Sequence, residues 1–565
     1  MESSLMKPAS LRRGRVPVSA LLILLACVVG GVALMPVSHG LTSGGSAKAG
    51  DKVDKVALKA ARDTITEDEV LGHLQVLASA EFEGRDSPSE GLERAAIYLE
   101  EQLDSYGFRG VGKDGSFRVP FSRRMSIPDE ARCWIKMSTA FGSSADESAV
   151  PKGPEFGVDF VPLPGCTGEA QGQAIYVGFG IDRKGYDDLV KKKLKGKIAV
   201  IIEGEPRHRR LFEGPDVVTE AADVYGKIEE LLGKDVAGIL VVRRPPATAT
   251  LGPDGQPLAP PAMGFRYTWA QWNPGTTEAG PRRKRAFRAP VLEVTPELAS
   301  AVLGEDVLAL AARSDESGKP TKARGEGQEI TISSGFDTER LDIDNVAGIL
   351  EGTDPELRQE VVIVGAHYDH IGVDPRGRIA FGADDNGSGT VAMLEVAQAF
   401  ASAPPRRSIV VAFFAGEEDG LLGSSSFAKD PPMPRENIAA MFNMDMVGRG
   451  ESNEVVVLGT AQNPDLEEVL DQAHKIKGSG VRKIVTDQAA HLWQRSDHYS
   501  FHQALVPVLF FFEAVSENLN EDYHTFRDSL DLVDIEKVAN TAKLCLHVAW
   551  IVANADERPG IPRNR

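Results

Sequence analysis

From about residue 343 onward, continuous apolar runs alternate with segments of helical periodicity, and this alternation constrains the fold more than any other feature. The apolar runs include "EVVIVGAHYDH", "RSIVVAFFAGEE", "IAAMFNMDMVG" and "LVPVLFFFE", whereas "SGTVAMLEVAQAFASA" and "DIEKVANTAKLCLHVAWIVAN" have helical patterns. Strands that are buried on both faces are apolar throughout, because helices cover both sides of their sheet. The pattern therefore predicts an α/β fold in which helices sandwich a mixed, mostly parallel sheet.

The middle of the chain has a different pattern. Between about residues 155 and 310, the strand-like runs "QAIYVGFG", "GKIAVIIEG", "VAGILVVRR" and "APVLEV" alternate with loops, and the region lacks a dense cluster of metal-ligating residue types. Helical patterns precede it in "TEDEVLGHLQVLAS", where Thr66 and Glu69 predict a capping box, and in "SEGLERAAIYLEEQLDSYGF", with Gly107 at its C-cap. We interpret the middle region as a β-rich, non-catalytic domain inserted into the α/β domain.

The N-terminus has the pattern of an export signal. Basic residues up to Arg15 precede the uncharged, mostly apolar run "VPVSALLILLACVVGGVALMPV". Residues 1–40 are predicted to be either a signal peptide cleaved after Gly40 or an uncleaved membrane anchor, since a bilayer-spanning helix needs about 20 residues. Either alternative predicts a periplasmic or secreted protein, or one anchored to the outer face of a membrane. Residues 41–65 are predicted to be a linker.

Charge and cysteine content exclude some classes of function. The net charge of −19 over 565 residues argues against general nucleic-acid binding, which requires a basic face. Of the four cysteines, one lies in the apolar N-terminal run, and a bridge between Cys133 and Cys166 is conceivable. No CxxC motif is present, so a thiolate zinc site is not indicated.

Polar residues that a plain α/β fold does not require follow several of the predicted strands. Active sites of open α/β sheets gather at the carboxyl ends of strands, so these residues are candidates for one common site. One further pair lies in the turn "GADDNGSG", and a histidine follows late in the chain, in "DYHTF". The candidates are His367, Asp369, Asp384, Asp385, Glu417, Glu418, Asp445 and His524.

Several carboxylates at one edge of a sheet need cations to neutralise them. Mixed nitrogen and oxygen ligation without thiolates suits Zn²⁺, with Mn²⁺ and Co²⁺ as alternatives. Five ligands that share one carboxylate make two sites of three protein ligands each, which leaves room for water and substrate. Asp369 lies two residues beyond His367 and is predicted to orient its imidazole ring.

The ordered motifs resemble the M28 family of zinc-dependent aminopeptidases. The matching segments are "GAHYDH", "GADDNGSG", "GEEDGLLGS", "NMDMVGR" and "DYHTFRDSLD". The opening "FEGRDSPSEGLERAAIYLEEQLDSYGF" is similar to the first helices of that family, and "GQAIYVGFGIDRKGYDDLVKKKLKGKIAVIIEGEP" resembles a protease-associated (PA) domain. The resemblance implies the zinc-dependent exopeptidase fold in two parts, 66–150 and 330–556, around a PA-like insert at 151–315. From its position between the two parts, the insert is expected to restrict access to the cleft or to recruit larger substrates.

The resemblance also implies a role for each residue. Asp384 would bridge two metal ions, and a cis peptide bond would join it to Asp385. His367 and Asp445 would complete one metal site.

The second site, by the same resemblance, would be completed by Glu418 and His524. Glu417 would be the general base, and Tyr523 is a candidate hydrogen-bond donor to the oxyanion, with a packing role as its alternative. Three further histidines near the motifs are predicted to be structural: His370, His498 and His502.

The predicted function is hydrolysis of N-terminal residues from peptides by an exported di-zinc exopeptidase. Relatives of the same fold act as carboxypeptidases, which need a basic clamp such as Arg449 or Arg495, or as glutaminyl cyclases, which use one zinc ion. An inactive receptor scaffold is the alternative from another class, although such a protein should have lost ligands or base. Substrate side-chain preference and oligomeric state stay open.

Overall fold

The computed structural model describes residues 54–138, 153–208, 212, 220–244, 286–373, 378–486, 492–513, 520 and 522–562. The predicted signal peptide or anchor at 1–40, and the linker as far as residue 53, lie outside these residues. Among the helices that are described, none combines the length and the apolar character needed to cross a membrane.

Helices occur before, within and after the middle region. In chain order they are α1 Lys55–Arg62, α2 Glu67–Leu77, α3 Glu90–Ser105, α4 Val224–Gly233, α5 Pro296–Leu303, α6 Val307–Ser317, α7 Gly389–Ser402, α8 Leu422–Lys429, α9 Pro464–His474, α10 His498–Gln503 and α11 Ile535–Asn554. The predicted N-cap at Thr66 is confirmed, because its hydroxyl accepts a hydrogen bond from the Glu69 backbone N–H at the start of α2. The reciprocal half of the capping box does not form, since the Thr66 backbone N–H donates to the Glu395 carboxylate instead. Gly107 follows α3 with a φ of +84°, the left-handed conformation that glycine adopts readily.

The strands form two large sheets and one short hairpin. In chain order they are β1 Arg109–Gly110, β2 Arg118–Pro128, β3 Trp134–Met137, β4 Phe160–Pro162, β5 Gly168–Tyr176, β6 Asp182–Arg183, β7 Tyr186–Asp187, β8 Ile198–Ile202, β9 Gly238–Val242, β10 Val291–Val294, β11 Glu329–Ser334, β12 Phe336–Leu350, β13 Val361–His367, β14 Ser408–Phe414, β15 Ile438–Met444, β16 Glu454–Leu458, β17 Lys483–Val485 and β18 Val508–Phe512.

The first sheet has nine strands in the order β1-β12-β14-β13-β15-β18-β16-β17, with β2 paired to β12. Its central strands β14, β13, β15 and β18 are parallel, whereas β12 and β16 join them antiparallel. A parallel pair needs a crossover connection, and α7 supplies the one between β13 and β14. The predicted α/β fold with a mixed sheet is thereby confirmed.

Alternate residues of β13 enter two different cores, as the period of a strand requires. Val362 and Val364 belong to a core that includes residues of α2, α3, α7, α9 and α11. Val361 and Ile363 belong to a second core with Phe427 of α8 and Phe501 of α10. Helices therefore cover both faces of the sheet, and this is why the central strands are apolar throughout.

A separate seven-stranded sheet has the order β3-β11-β5-β8-β9-β10-β4, with its own apolar core on each face. It uses Trp134–Met137 and Glu329–Ser334, so it extends beyond the predicted insert range of 151–315 on both sides. The long antiparallel pairing of β2 with β12 leads into and out of this region. Its identity as a PA domain stays a prediction.

The conceivable bridge between Cys133 and Cys166 does not form. Both residues are buried free thiols, and the Cys133 thiol donates a hydrogen bond to the Gly335 carbonyl instead. The two cysteines also lie in separate apolar cores of the second sheet.

Candidate metal centre

The candidate residues lie where three adjacent parallel strands end. His367 is the last residue of β13, which pairs in parallel with β14 on one side and β15 on the other. Asp445 directly follows β15, and Glu417 and Glu418 lie in the loop after β14. Because parallel strands end at the same edge of a sheet, side chains from distant parts of the sequence meet there.

The first donor group is formed by His367, Asp385 and Asp445, all of them buried. Nε2 of His367 lies 3.2 Å from Oδ1 of Asp445 and 3.6 Å from Oδ1 of Asp385. On its other side, Nδ1 of His367 lies 3.2 Å from the main-chain carbonyl oxygen of Asp369 and 3.6 Å from its carboxylate. The carbonyl of Asp369 thus lies closer to the imidazole ring than the carboxylate that the sequence predicted to orient it.

The second donor group lies on the other side of Asp385. Nε2 of His524 is 3.2 Å from Oδ2 of Asp385 and 2.8 Å from Oε2 of Glu418. Nδ1 of His370 is 3.0 Å from Oε1 of Glu418, so His370 joins this group, although its sequence position suggested a structural role. Burial lowers the pKa of His524, but the charges of Glu418 and Asp385 outweigh that effect and raise it to about 10.

The prediction that Asp384 lies between the two groups is wrong by one position. Asp385 provides one carboxylate oxygen to each group, whereas Asp384 is in neither. The cis peptide bond likewise joins Asp385 to Asn386, not Asp384 to Asp385. Residues Ala383–Ser388 form a tight π-type turn at the start of α7, and this turn directs the two adjacent carboxylates to different surroundings.

Asp384 points away from the donor groups into a second buried polar cluster. Its Oδ1 accepts a hydrogen bond of 2.8 Å from the Gly448 backbone N–H, and Oδ2 lies 3.8 Å from Nε of Arg449. The carboxylate of Asp528 accepts hydrogen bonds from the backbone N–H groups of both Asp384 and Asp385. This cluster stabilises the turn on the side away from the donor groups. Asp384 therefore stabilises the turn, whereas Asp385 lies between the two donor groups.

Glu417 lies at the edge of the first donor group. Its Oε2 is 3.9 Å from Nε2 of His367, and its backbone N–H donates a hydrogen bond of 3.3 Å to the Asp369 carboxylate. Burial, together with the charges of Glu418 and Asp445, raises the pKa of Glu417 well above its usual value. A cation among these carboxylates would remove that repulsion and bring the group into the range of a general base at neutral pH.

Tyr523, His498 and His502 lie outside the two donor groups. The ring of Tyr523 stacks on that of His524 at a centroid distance of 3.8 Å, and its hydroxyl accepts a hydrogen bond of 3.4 Å from the exposed Arg495. His498 and His502 both pack against Trp493.

The donor set fits a pair of divalent cations. In the part of the chain that the structure describes, Nε2 of His524 and Oδ2 of Asp385 are buried and make no hydrogen bond of good geometry, despite the short distance between them. Buried polar atoms that converge without bonding to each other are typical of ligands that share an ion. Donor atoms lie within 4.8 Å of one another in the set His367, Asp385 and Asp445 and in the set His370, Asp385 and Glu418. Imidazole with carboxylate is a common ligand combination for zinc.

Comparison with known sequences identifies relatives of part of the chain. Residues 345–549 match the sequence model of peptidase family M28. A protein of Trichophyton verrucosum (strain HKI 0517) named "Probable leucine aminopeptidase" is 33% identical over 212 residues, which are 36% of this chain and 56% of that protein. A protein of Arthroderma otae (strain ATCC MYA-4605 / CBS 113480) with the same name is 31% identical over 209 residues, 36% of this chain and 57% of that protein. The chain thus spans just over half the length of these curated relatives.

Solved structures share the fold over most of the chain. A zinc aminopeptidase from Bacillus subtilis superposes with a TM-score of 0.57 at 19% identity, covering 87% of this chain and 96% of its own. An aminopeptidase from Aneurinibacillus sp. strain AM-1 superposes with a TM-score of 0.52 at 20% identity, covering 89% and 97% of the two chains. At these identities the likeness establishes the fold of the chain.

Proposed function

We propose that this chain, whose residues 345–549 match the sequence model of peptidase family M28, is a zinc-dependent exopeptidase that removes N-terminal residues from peptides. The observation that carries the proposal is the position of Asp385 between two donor groups, one with His367 and Asp445 and the other with Glu418 and His524. The names of the relatives and of the structural neighbours support the same activity.

Two zinc ions held by these groups would supply Lewis acidity for a water molecule and for the scissile carbonyl group. The protein's own residues would perform the proton transfers. Glu417 takes a proton from the attacking water and returns it to the leaving amine. Its position beside His367 suits this role, since bound cations would lower the pKa that burial and the neighbouring carboxylates raise. The hydroxyl of Tyr523, next to His524, is a candidate donor to the developing oxyanion.

The test is a panel of substrates with and without a chelator. Aminoacyl-amide chromogens should be hydrolysed, the same compounds with an acetylated amine should not, and removal of metal should abolish hydrolysis. Hydrolysis of N-acylated dipeptides would favour a carboxypeptidase. Activity that survives complete metal removal, or a protein that binds no zinc, would contradict the proposal.

The positions of the two candidate clamp residues bear on the carboxypeptidase alternative. Arg449 lies between 3.5 and 3.8 Å from oxygens of Asp384, Asp522 and Asp528, so its charge is already matched by carboxylates. Arg495 is exposed and contacts Tyr523, so it is the one to substitute if blocked dipeptides prove to be substrates.

We further propose that the protein is exported, on the basis of the basic flank and apolar run before residue 38. Cell fractionation followed by N-terminal sequencing tests this. A mature protein that begins at Leu41 supports the signal peptide, and a full-length chain in the membrane fraction supports the anchor. A full-length chain in the cytoplasm would contradict both.

A further inference from the structure

A segment far from the M28 match contributes to the candidate metal centre. Residues 84–88 lie in the turn between α2 and α3, outside residues 345–549. Their backbone pairs with the loop that follows β13: the His370 N–H donates to the Arg85 carbonyl, and the Gly372 N–H donates to the Gly84 carbonyl, both at 3.0 Å. Gly84 has to be glycine here, since a Cβ atom would lie 2.3 Å from the Ala380 carbonyl oxygen.

The side chain of Arg85 connects two of the loops that carry candidate metal donors. Its guanidinium is 1% exposed and donates hydrogen bonds to the carbonyls of Tyr368 at 2.8 Å, Phe381 at 2.9 Å and Gly382 at 2.8 Å, and also to that of Leu77. Tyr368 follows the donor His367, and Gly382 precedes the turn that contains Asp385. One buried side chain therefore fixes the spacing between these two loops.

Ser87 connects the same segment to the loop that follows β14. Its hydroxyl donates a hydrogen bond to the Asp369 carboxylate at 3.3 Å and accepts one from the Gly416 backbone N–H at 3.1 Å. Gly416 immediately precedes Glu417. Residues 84–88 thus contact three of the loops that carry candidate donors or the predicted base: the loop after β13, the turn that contains Asp385 and the loop after β14.

Among the described residues, no single carboxylate neutralises the charge of Arg85 through a hydrogen bond. Every hydrogen bond that its guanidinium makes within the described residues goes to a carbonyl oxygen. Burial lowers its pKa to about 10, and the charges of Asp528, Asp369, Asp385 and Glu418 act in the opposite direction. A guanidinium that is always protonated and binds in a rigid fork suits this position better than a lysine ammonium group would.

We propose that Arg85 is a positioning residue of the metal centre: its hydrogen bonds hold the loops of His367 and Asp385 at the separation that two divalent ions require. The inference rests on the proposed metal centre, although it does not depend on which peptides are cleaved. A positive charge beside a cation site weakens binding electrostatically, whereas a preorganised ligand set strengthens it. Preorganisation of the ligands outweighs this repulsion, so loss of Arg85 weakens metal binding.

The experiment compares Arg85→Lys and Arg85→Met with a matched control, Arg407→Lys, in the full chain. Arg407 is also 1% exposed and also binds backbone carbonyls, those of Val552 and Ala555, and it makes one ion pair of 2.7 Å with Glu360. It lies just before β14, at the end of that strand opposite Glu417. Zinc affinity is measured by competition with a chromophoric chelator, circular dichroism verifies folding, and the absorption spectrum of the Co²⁺-loaded protein reports ligand geometry.

We expect at least tenfold weaker metal binding and an altered Co²⁺ spectrum in both Arg85 variants, and wild-type values within twofold in Arg407→Lys. Excess zinc should restore much of kcat in Arg85→Lys. Unchanged affinity in both Arg85 variants, tighter binding in Arg85→Met, or an equal loss in Arg407→Lys would overturn the proposal. A wild-type protein that binds zinc without cleaving free-amine substrates would refute the proposed function and leave this inference standing.

Discussion

The assignment of the central position to Asp385 rather than Asp384 predicts opposite results for two adjacent and chemically identical substitutions. Asp385→Asn removes the charge that lies within 3.2–3.6 Å of the imidazole nitrogens of His524 and His367. Asp384→Asn removes a charge that faces Arg449, and it retains an oxygen to accept the hydrogen bond from the Gly448 N–H. Only the first change acts directly on both donor groups.

The size of the difference follows from electrostatics. A carboxylate about 4 Å from a unit positive charge contributes about 4 kcal/mol at an effective dielectric constant of about 20. A divalent ion doubles this contribution, and about 1.4 kcal/mol corresponds to a factor of ten, so Asp385→Asn should weaken metal binding by at least about a thousandfold. Asp384→Asn should have an effect at least tenfold smaller.

The assay is zinc stoichiometry and affinity measured by equilibrium dialysis against a chelator buffer, on variants whose folding is verified by circular dichroism. Hydrolysis of an aminoacyl-amide chromogen is then measured at saturating zinc. Asp385→Asn should retain less than one tightly bound ion and little activity. If Asp384→Asn loses zinc while Asp385→Asn retains it, the geometric assignment is refuted.

The remaining predictions concern the base, the oxyanion donor and one buried carboxylate. Glu417→Gln should lower kcat by about 10²–10⁴-fold while zinc content stays unchanged; loss of zinc instead would make Glu417 a ligand. Tyr523→Phe should lower kcat by about tenfold or more with little change in KM, and an unchanged kcat would leave Tyr523 with only its packing contact to His524. Burial raises the pKa of Glu395 from 4.5 to about 8, so its stabilising protonated form is complete below pH 4.5 and is lost as pH rises through 8. Glu395→Gln should therefore be more stable than the wild type by about 5 kcal/mol at pH 9 and by much less at pH 5, as denaturant titrations would measure. A gain that does not change with pH would contradict this expectation.

The fold and most of the candidate site could be predicted because they depend on patterns that persist over several residues. Strands such as β13 and β15 are recognisable as apolar runs, and the carboxyl ends of parallel strands meet, so His367 and Asp445 were predictable as neighbours. The confirmed helix cap at Thr66 depends on a pattern of the same local kind. Each of these features is set by the period of a strand or by the start of a helix.

Sequence reasoning failed where the backbone is irregular. Periodicity does not say which of two adjacent carboxylates in a π-type turn faces inward, and the choice of Asp384 was therefore wrong. His370 lies in a loop beyond the strand, where the alternation of faces no longer holds, and its proximity to Glu418 follows from the backbone pairing with Arg85. Arg85 lies in a segment that resembles the opening of the family, but its role could not be predicted, because it binds carbonyl groups and these leave no trace in the pattern of side chains.

The two aspartates of "GADDNGSG" thus face different partners, and this explains how adjacent carboxylates are tolerated in a buried turn. Asp385 faces the imidazole nitrogens of the donor groups, whereas Asp384 faces Arg449 and the Gly448 N–H on the opposite side of the backbone. The backbone between them is held by Asp528, whose own pKa burial raises to about 7. Divalent ions at the donor groups would neutralise the charge of Asp385 and so reduce its repulsion of Asp528. Asp528, which accepts hydrogen bonds from the turn, would then remain ionised more readily. We therefore expect metal binding at the candidate centre to stabilise the turn that contains Asp385, and a stable turn to favour metal binding.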